Sequence, residues 1–247
     1  RHFFDTHKYF DKKNTKIMKF SQFEHIISPK RVERYLAATG HRKKKTMLLY
    51  NANLNLAKEM YVVINYFEVA LRNAIDVCLQ QSLGPDWLRD SIMQGGIFDN
   101  KHCEKMKKVI SKRYQSLCNE GNYSHSKLLS SLEFGVWKYM FADFQYKVTG
   151  QKLLSIFPNK PKSSAAKQYD NTFIFNELNY INTLRNRIAH QEPICFSHKT
   201  RKIDTTYIHT QYERILRLFA MMGINSKQLL KDMDFVERAC IVIETIL

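Results

Sequence analysis

The sequence predicts an all-α protein folded as a single compact body, and three observations carry that expectation. Composition is the first: 8 Gly and 5 Pro among 247 residues are too few for a β-rich or disordered chain, while 44% hydrophobic residues supply a sizeable core. The second is the stretch from Thr46 to Leu83. There Leu48, Leu49, Leu56, Met60, Val63, Ile64, Phe67, Leu71, Ile75 and Leu79 recur at spacings of three and four, the period of a helix buried along one side. Third, no segment alternates apolar and polar residues in the manner of a half-buried strand.

Residues 1–20 mix aromatic side chains with Lys and show no clean period, so residues 1–27 are expected to be an arm or short helix ahead of a domain over 28–247. Ser28 suits an N-cap, Pro29 the first helical position and Gly40 the stop of a helix that turns Val32, Tyr35 and Leu36 inward. The basic run that follows, with Arg42, Lys43, Lys44 and Lys45, reads either as a phosphate contact or as a solvated linker. After the long helix, Gly84 to Trp87 and the pair Gly95–Gly96 mark turns.

Residues 100–118 read as an amphipathic helix with a basic stripe that includes Lys105, Lys108, Lys112 and Arg113. That stripe either contacts an RNA backbone or is a solvated face. Residues 125–141 are expected to form one helix with Leu128, Leu129, Leu132, Trp137 and Phe141 inward and Gly135 placed for a close helix contact. Residues 158–171 have loop composition. A helix ending near Pro193 comes next, then two amphipathic helices over about 204–222 and 226–247.

Charge narrows the function classes. Lys and Arg number 39 against 23 acidic residues, a net charge of +16, which favours a polyanionic partner, with nucleic acid ahead of an anionic membrane surface. No run of 18 apolar residues and no signal-peptide core appear, and a cytoplasmic protein is expected. Five scattered cysteines without a CxxC pair point to a reducing compartment and no zinc site, and no cofactor is expected.

The candidate site lies in LNYINTLRNRIAHQEPI, residues 178–194. On a helix Asn186 and His190 share a face at i,i+4, Arg187 lies close to it, and Arg185 sits further round with a side chain long enough to swing back. Such a set suits cleavage of RNA without a metal. A histidine can move protons near neutrality because its ordinary pKa is about 6.5, and arginine presents permanently charged planar donors to phosphate oxygens. The alternative is a basic helix end whose terminal His is favoured by the helix dipole. Upstream, Glu68 and Arg72 form an i,i+4 pair that reads as a surface salt bridge or as part of a cleft.

The segments ISPKRVERYL, FEVALRNAI followed by GPDWL, LEFGVW and LRNRIAHQEPI occur in an order that resembles the Abi-like proteins of bacterial abortive infection. The similarity is to AbiD/AbiF-type members of the HEPN superfamily and covers residues 28–195. It implies a HEPN-like helical bundle elaborated with extra helices, and a metal-independent endoribonuclease that acts as a toxin in antiviral defence. Two chains would face each other as a homodimer around one cleft. In this resemblance Arg185 and His190 are the catalytic pair with Asn186 beside them, and Glu68, Arg72 and Asn73 support the cleft; Arg187, close to the face of His190, is expected to support it too. The implied partners are RNA as substrate and a small structured RNA as inhibitor, with no membrane and no small-molecule cofactor. A non-catalytic RNA-binding module or scaffold is the competing expectation.

Overall fold

One helix of 41 residues, roughly 60 Å long, is the mast on which the others pack. The computed structural model describes residues 18–197 and 202–246. Among these the order is α1 (Phe20–Ile27), α2 (Pro29–Ala38), α3 (Lys43–Leu83), α4 (Trp87–Ile92), α5 (Glu104–Asn119), α6 (His125–Ser131), α7 (Phe134–Tyr139) and α8 (Asp143–Val148). A 3-10 turn (Leu153–Ile156), α9 (Asn171–Ala189), α10 (Thr206–Met221), α11 (Ser226–Leu229) and α12 (Val236–Glu244) complete it. The fold is all-α. A single antiparallel bridge between Phe196 and Ile203 is the extent of β pairing among the described residues.

The expected arm falls largely on residues 1–17, which lie outside the described residues. Its end is α1, whose Phe23 is buried edge-on against Tyr50 at 5.3 Å between ring centroids. Ser28 caps α2 by accepting from the Arg31 backbone N–H, Pro29 opens the helix, and Val32 and Tyr35 are buried.

The mast, α3, begins at Lys43, three residues before the apolar period starts, and runs unbroken to Leu83. Lys43, Lys44 and Lys45 are therefore its first turn, not a linker. Three cations there oppose the helix dipole. Arg42 Nε donates to Thr39 O at 2.8 Å, and Lys43 Nζ lies 5.7 Å from the Phe20 ring. Of the ten apolar residues whose spacing announces the helix, nine are fully buried; Leu48 is 51% exposed and belongs to the outer face.

Residues 125–141 are two helices instead of one. Leu132 and Glu133 adopt extended backbone between α6 and α7, and the turn leaves Leu132, Phe134 and Trp137 all in the core. Because both helices bury the same side, the apolar spacing runs through the break. Gly135 does not mediate a close contact either: a Cβ built on it meets nothing within 4 Å. Gly96 is the opposite case, since a Cβ there would lie 2.2 Å from Asp90 O. The expected C-terminal helix is likewise split, into α11 and α12.

Helices α2, α7, α9, α10 and α12 surround α3. α9 runs antiparallel to it, with Arg185 against Glu68 at one end and the turn after α9 against Asn53 at the other. No helix among the described residues is long and apolar enough to cross a membrane.

Candidate functional site at the end of α9

The position of His190 follows from how α9 is started, buried and stopped. Asp170 accepts from the Phe173 backbone N–H at 2.9 Å as its N-cap. Ile174, Leu178, Ile181 and Leu184 then form a fully buried stripe along α9. At the C-terminus His190 is the capping residue. Gln191 N–H donates to Ile188 O at 2.9 Å and Glu192 N–H to Arg187 O at 2.8 Å, the paired bonds of a Schellman turn. That turn normally takes glycine; here Gln191 holds φ +57° and its Oε1 accepts from Arg31 Nη1 at 3.0 Å.

The chain beyond is pinned twice. Asn53, buried on α3, accepts from the Ile194 and Cys195 backbone N–H groups at 2.8 and 3.1 Å. Arg187 donates to Pro193 O at 2.7 Å, meets Glu192 at 3.3 Å and lies 5.2 Å over the Tyr207 ring. Its guanidinium thus fastens the turn that holds His190. The imidazole itself is exposed on this fixed backbone. Asn186 is exposed too, and the bond joining it to His190 is a backbone one, His190 N–H to Asn186 O at 2.9 Å; among the described residues its amide makes no hydrogen bond to the imidazole.

Arg185 points the other way, toward α3. There Glu68 is desolvated by burial, which pushes its carboxyl above the ordinary glutamate range; Arg185 and, more weakly, Arg72 pull it down, and Glu133 pushes it up. The Phe134 backbone N–H, at the start of α7, lowers it slightly. Arg72 is the lesser partner of Glu68, and its Nε faces the exposed Asn73 Oδ1 at 3.4 Å. The Arg185 Nε–H is buried with no hydrogen-bond partner among the described residues.

The raised Glu68 pKa has a consequence for stability. The folded carboxyl holds its proton more tightly than the unfolded one, so across the interval between the two pKa values stability falls as pH rises. Above that interval the ionised form is carried at a cost. Glu68→Gln is expected to raise the urea midpoint at pH 7, and this gain should shrink as the pH falls toward about 4. A midpoint lowered at pH 7 would show that attraction to the Arg185 and Arg72 charges outweighs burial.

A groove of about 790 Å³ opens between α5 and the α6–α7–α8 segment. Lys105, Lys112 and Arg113 of the basic stripe line it; Lys108 is exposed outside it. Glu133 lines the groove and its charge also acts on Glu68, which ties the groove electrostatically to Glu68. The run from Arg42 to Lys45 is not part of this assembly: Lys45 and Glu68 are separated by about 35 Å along α3.

Three charged residues of this region escape a sequence reading. Glu133 precedes an apolar run and looks like an ordinary surface residue. Lys138 is buried, donates to Asn179 Oδ1 at 3.0 Å and lies 4.4 Å over the Tyr139 ring, and burial pushes its ammonium below the ordinary lysine range. Glu177 is buried on α9 and paired with both Arg214 and Arg217 of α10. The one available signal was Glu177 itself, an acid set against the apolar stripe of α9.

No match is found among curated proteins or among solved structures. Residues 4–195 match the family described as Abi-like protein, well over half of the chain. The matched span takes in the mast, the LEFGVW turn and the capped end of α9, and the chain belongs to the Abi-like protein family.

Proposed function

We propose that this protein is a HEPN-type endoribonuclease of the AbiD/AbiF kind, an abortive-infection effector that cuts RNA in the cytoplasm through Arg185 and His190 without a metal. The observation that carries the reading is the division of labour at the end of α9. His190 is exposed on a turn fastened by Arg187, Asn53 and Arg31, while Arg185 acts on the Glu68 carboxyl through its charge and keeps a buried donor unbonded.

The chemistry follows from these groups. A neutral imidazole takes the proton of a ribose 2′-hydroxyl, the 2′-oxygen attacks the adjacent phosphorus, and the P–O5′ bond breaks as a protonated imidazole gives its proton to the leaving oxygen. Arg185 offsets the charge that builds on the phosphate oxygens. Five residues apart on a helix, Arg185 and His190 stand about 140° apart in azimuth and about 7.5 Å along the axis. Two chains meeting at this helix end bring two imidazoles and two guanidinium groups to one phosphate more readily than a single chain does. A homodimer supplies both the base and the acid.

The net charge of +16 favours RNA as substrate and a small structured RNA as an inhibitory partner. The deciding experiment is incubation with RNA in excess EDTA, with end analysis of the products and light scattering of the protein. Cleavage to 2′,3′-cyclic phosphate and 5′-hydroxyl ends by a dimer is expected. RNA bound but left intact would point instead to a non-catalytic RNA-binding module, and cleavage abolished by EDTA would overturn the metal-independent mechanism.

A further inference from the structure

A groove of about 790 Å³ lies beside Glu133, and neither its contents nor its shape is required by the chemistry at His190. Four cationic side chains line it, among them Lys105, Lys112 and Arg113, against two carboxylates, Glu104 and Glu133. The floor is more apolar than a simple phosphate site requires. Val109 and Tyr139 stand 48% and 49% exposed on its walls, and His102 lines it with its ring stacked on Phe144 at 3.9 Å, the planes 1° apart.

Gly135 adds an independent observation. It lies in α7, its backbone φ is not in the left-handed region, and a Cβ there meets nothing within 4 Å. Neither conformation nor neighbouring atoms demand a glycine. What a side chain at 135 would occupy is the groove itself, because Gly135 is one of its lining residues.

We propose that this groove seats a short single-stranded segment of RNA, its phosphates on the Lys105–Lys112–Arg113 edge and its unstacked bases against Tyr139 and His102, and that it delivers the strand to Arg185 past Glu133. The inference deepens the ribonuclease reading and rests on it for the strand's destination. A single strand fits the combination of a cationic rim with exposed rings, since bases freed from a duplex stack on aromatic side chains while the backbone follows the positive edge. A duplex hides its base faces and is read by shape across a broad minor groove, for which a concave apolar floor has no use. The volume of about 790 Å³ is that of a ligand-sized cleft, enough for a few nucleotides and not for a folded domain.

The test is fluorescence anisotropy on the full chain with a labelled 2′-O-methyl oligonucleotide of about eight residues, single-stranded or annealed to its complement. That probe has no free 2′-hydroxyl and is not cut. Gly135→Leu fills the groove with a better helix former, so a lowered melting temperature is not expected. Gly135→Leu and the double variant Lys112→Glu/Arg113→Glu are each expected to weaken single-strand binding by about tenfold or more. The double variant should also lower the slope of log K against log salt by about 1.4, two contacts at about 0.7 each for a single strand.

Single-strand binding unchanged in both variants, or a preference for the duplex, overturns the proposal. Cleavage assays on the same proteins separate it from the ribonuclease reading. Cleavage that persists at the parental rate with the groove filled overturns the groove as the strand's path. Absent cleavage with binding that still depends on Gly135, Lys112 and Arg113 keeps the groove and removes the nuclease.

Discussion

His190→Ala is expected to lower single-turnover RNA cleavage by about 10²–10⁴-fold, the range removed with a general acid or base. The fold should be unaffected. The imidazole is exposed, the capping bonds of its turn are backbone bonds, and the side chains that fasten the turn belong to Arg31, Asn53 and Arg187. A loss of cleavage with an unchanged melting temperature is therefore a chemical loss. Arg185→Lys is the informative companion: it keeps the charge beside Glu68 but gives up the planar fork that matches two phosphate oxygens. Partial cleavage is expected there. Cleavage by His190→Ala at the parental rate would remove His190 from the mechanism and return it to the role of a dipole-favoured helix end.

Where the sequence was legible, the reason is local. The mast declared itself because nine apolar residues of α3 hold one spacing over about eight turns, and the Ser28–Pro29 start was read from chemistry that acts within four residues. Its errors share a cause as well. Leu48 continues the spacing yet faces outward, on the side of α3 opposite Thr46, Leu49 and Tyr50, which are buried in the same stretch. The break at Leu132–Glu133 carries no Pro, and its glycine, Gly135, falls after the turn and not in it.

The candidate site was partly legible for the same reason. Arg185, Asn186 and His190 fall within six residues on one helix, so their spacing could be read. Glu68 could be paired only with the neighbour visible in sequence, Arg72, whereas its larger positive influence comes from Arg185, more than a hundred residues on. Lys138 with Asn179 and Glu177 with its two arginines are contacts between helices that no local period encodes. The basic stripe of α5 was visible as charge; that its Lys105, Lys112 and Arg113 turn into a groove reaching Glu133 depends on where α7 lies.

The strongest expected effect on stability is at Glu177. Its two carboxylate oxygens are taken by Arg214 Nη1 and Arg217 Nη2, and Arg214 also lies 4.2 Å over the Tyr180 ring. The pairs are unequal. The Glu177 and Arg214 side chains are 10% and 12% exposed, whereas Arg217 is 49% exposed and solvent can take over its charge. Glu177→Ala leaves the Arg214 guanidinium out of water without its anion, a change that costs about 3–5 kcal/mol, whereas Arg217→Ala removes an exposed partner and costs about 1 kcal/mol or less. For a chain of this size the first corresponds to a fall in melting temperature of about 10 °C. Removing both charges together, as in Glu177→Leu/Arg214→Met, should recover most of that loss, because the penalty comes from the orphaned charge. A double variant as unstable as Glu177→Ala would show instead that the ion pair itself contributes the stability. Since α9 carries Arg185 two turns beyond Glu177, cleavage by Glu177→Ala should fall at temperatures where its midpoint is approached and be near parental well below it. His190→Ala, by contrast, loses cleavage at every temperature, so the temperature profile distinguishes a support of the helix from a group that acts on the phosphate.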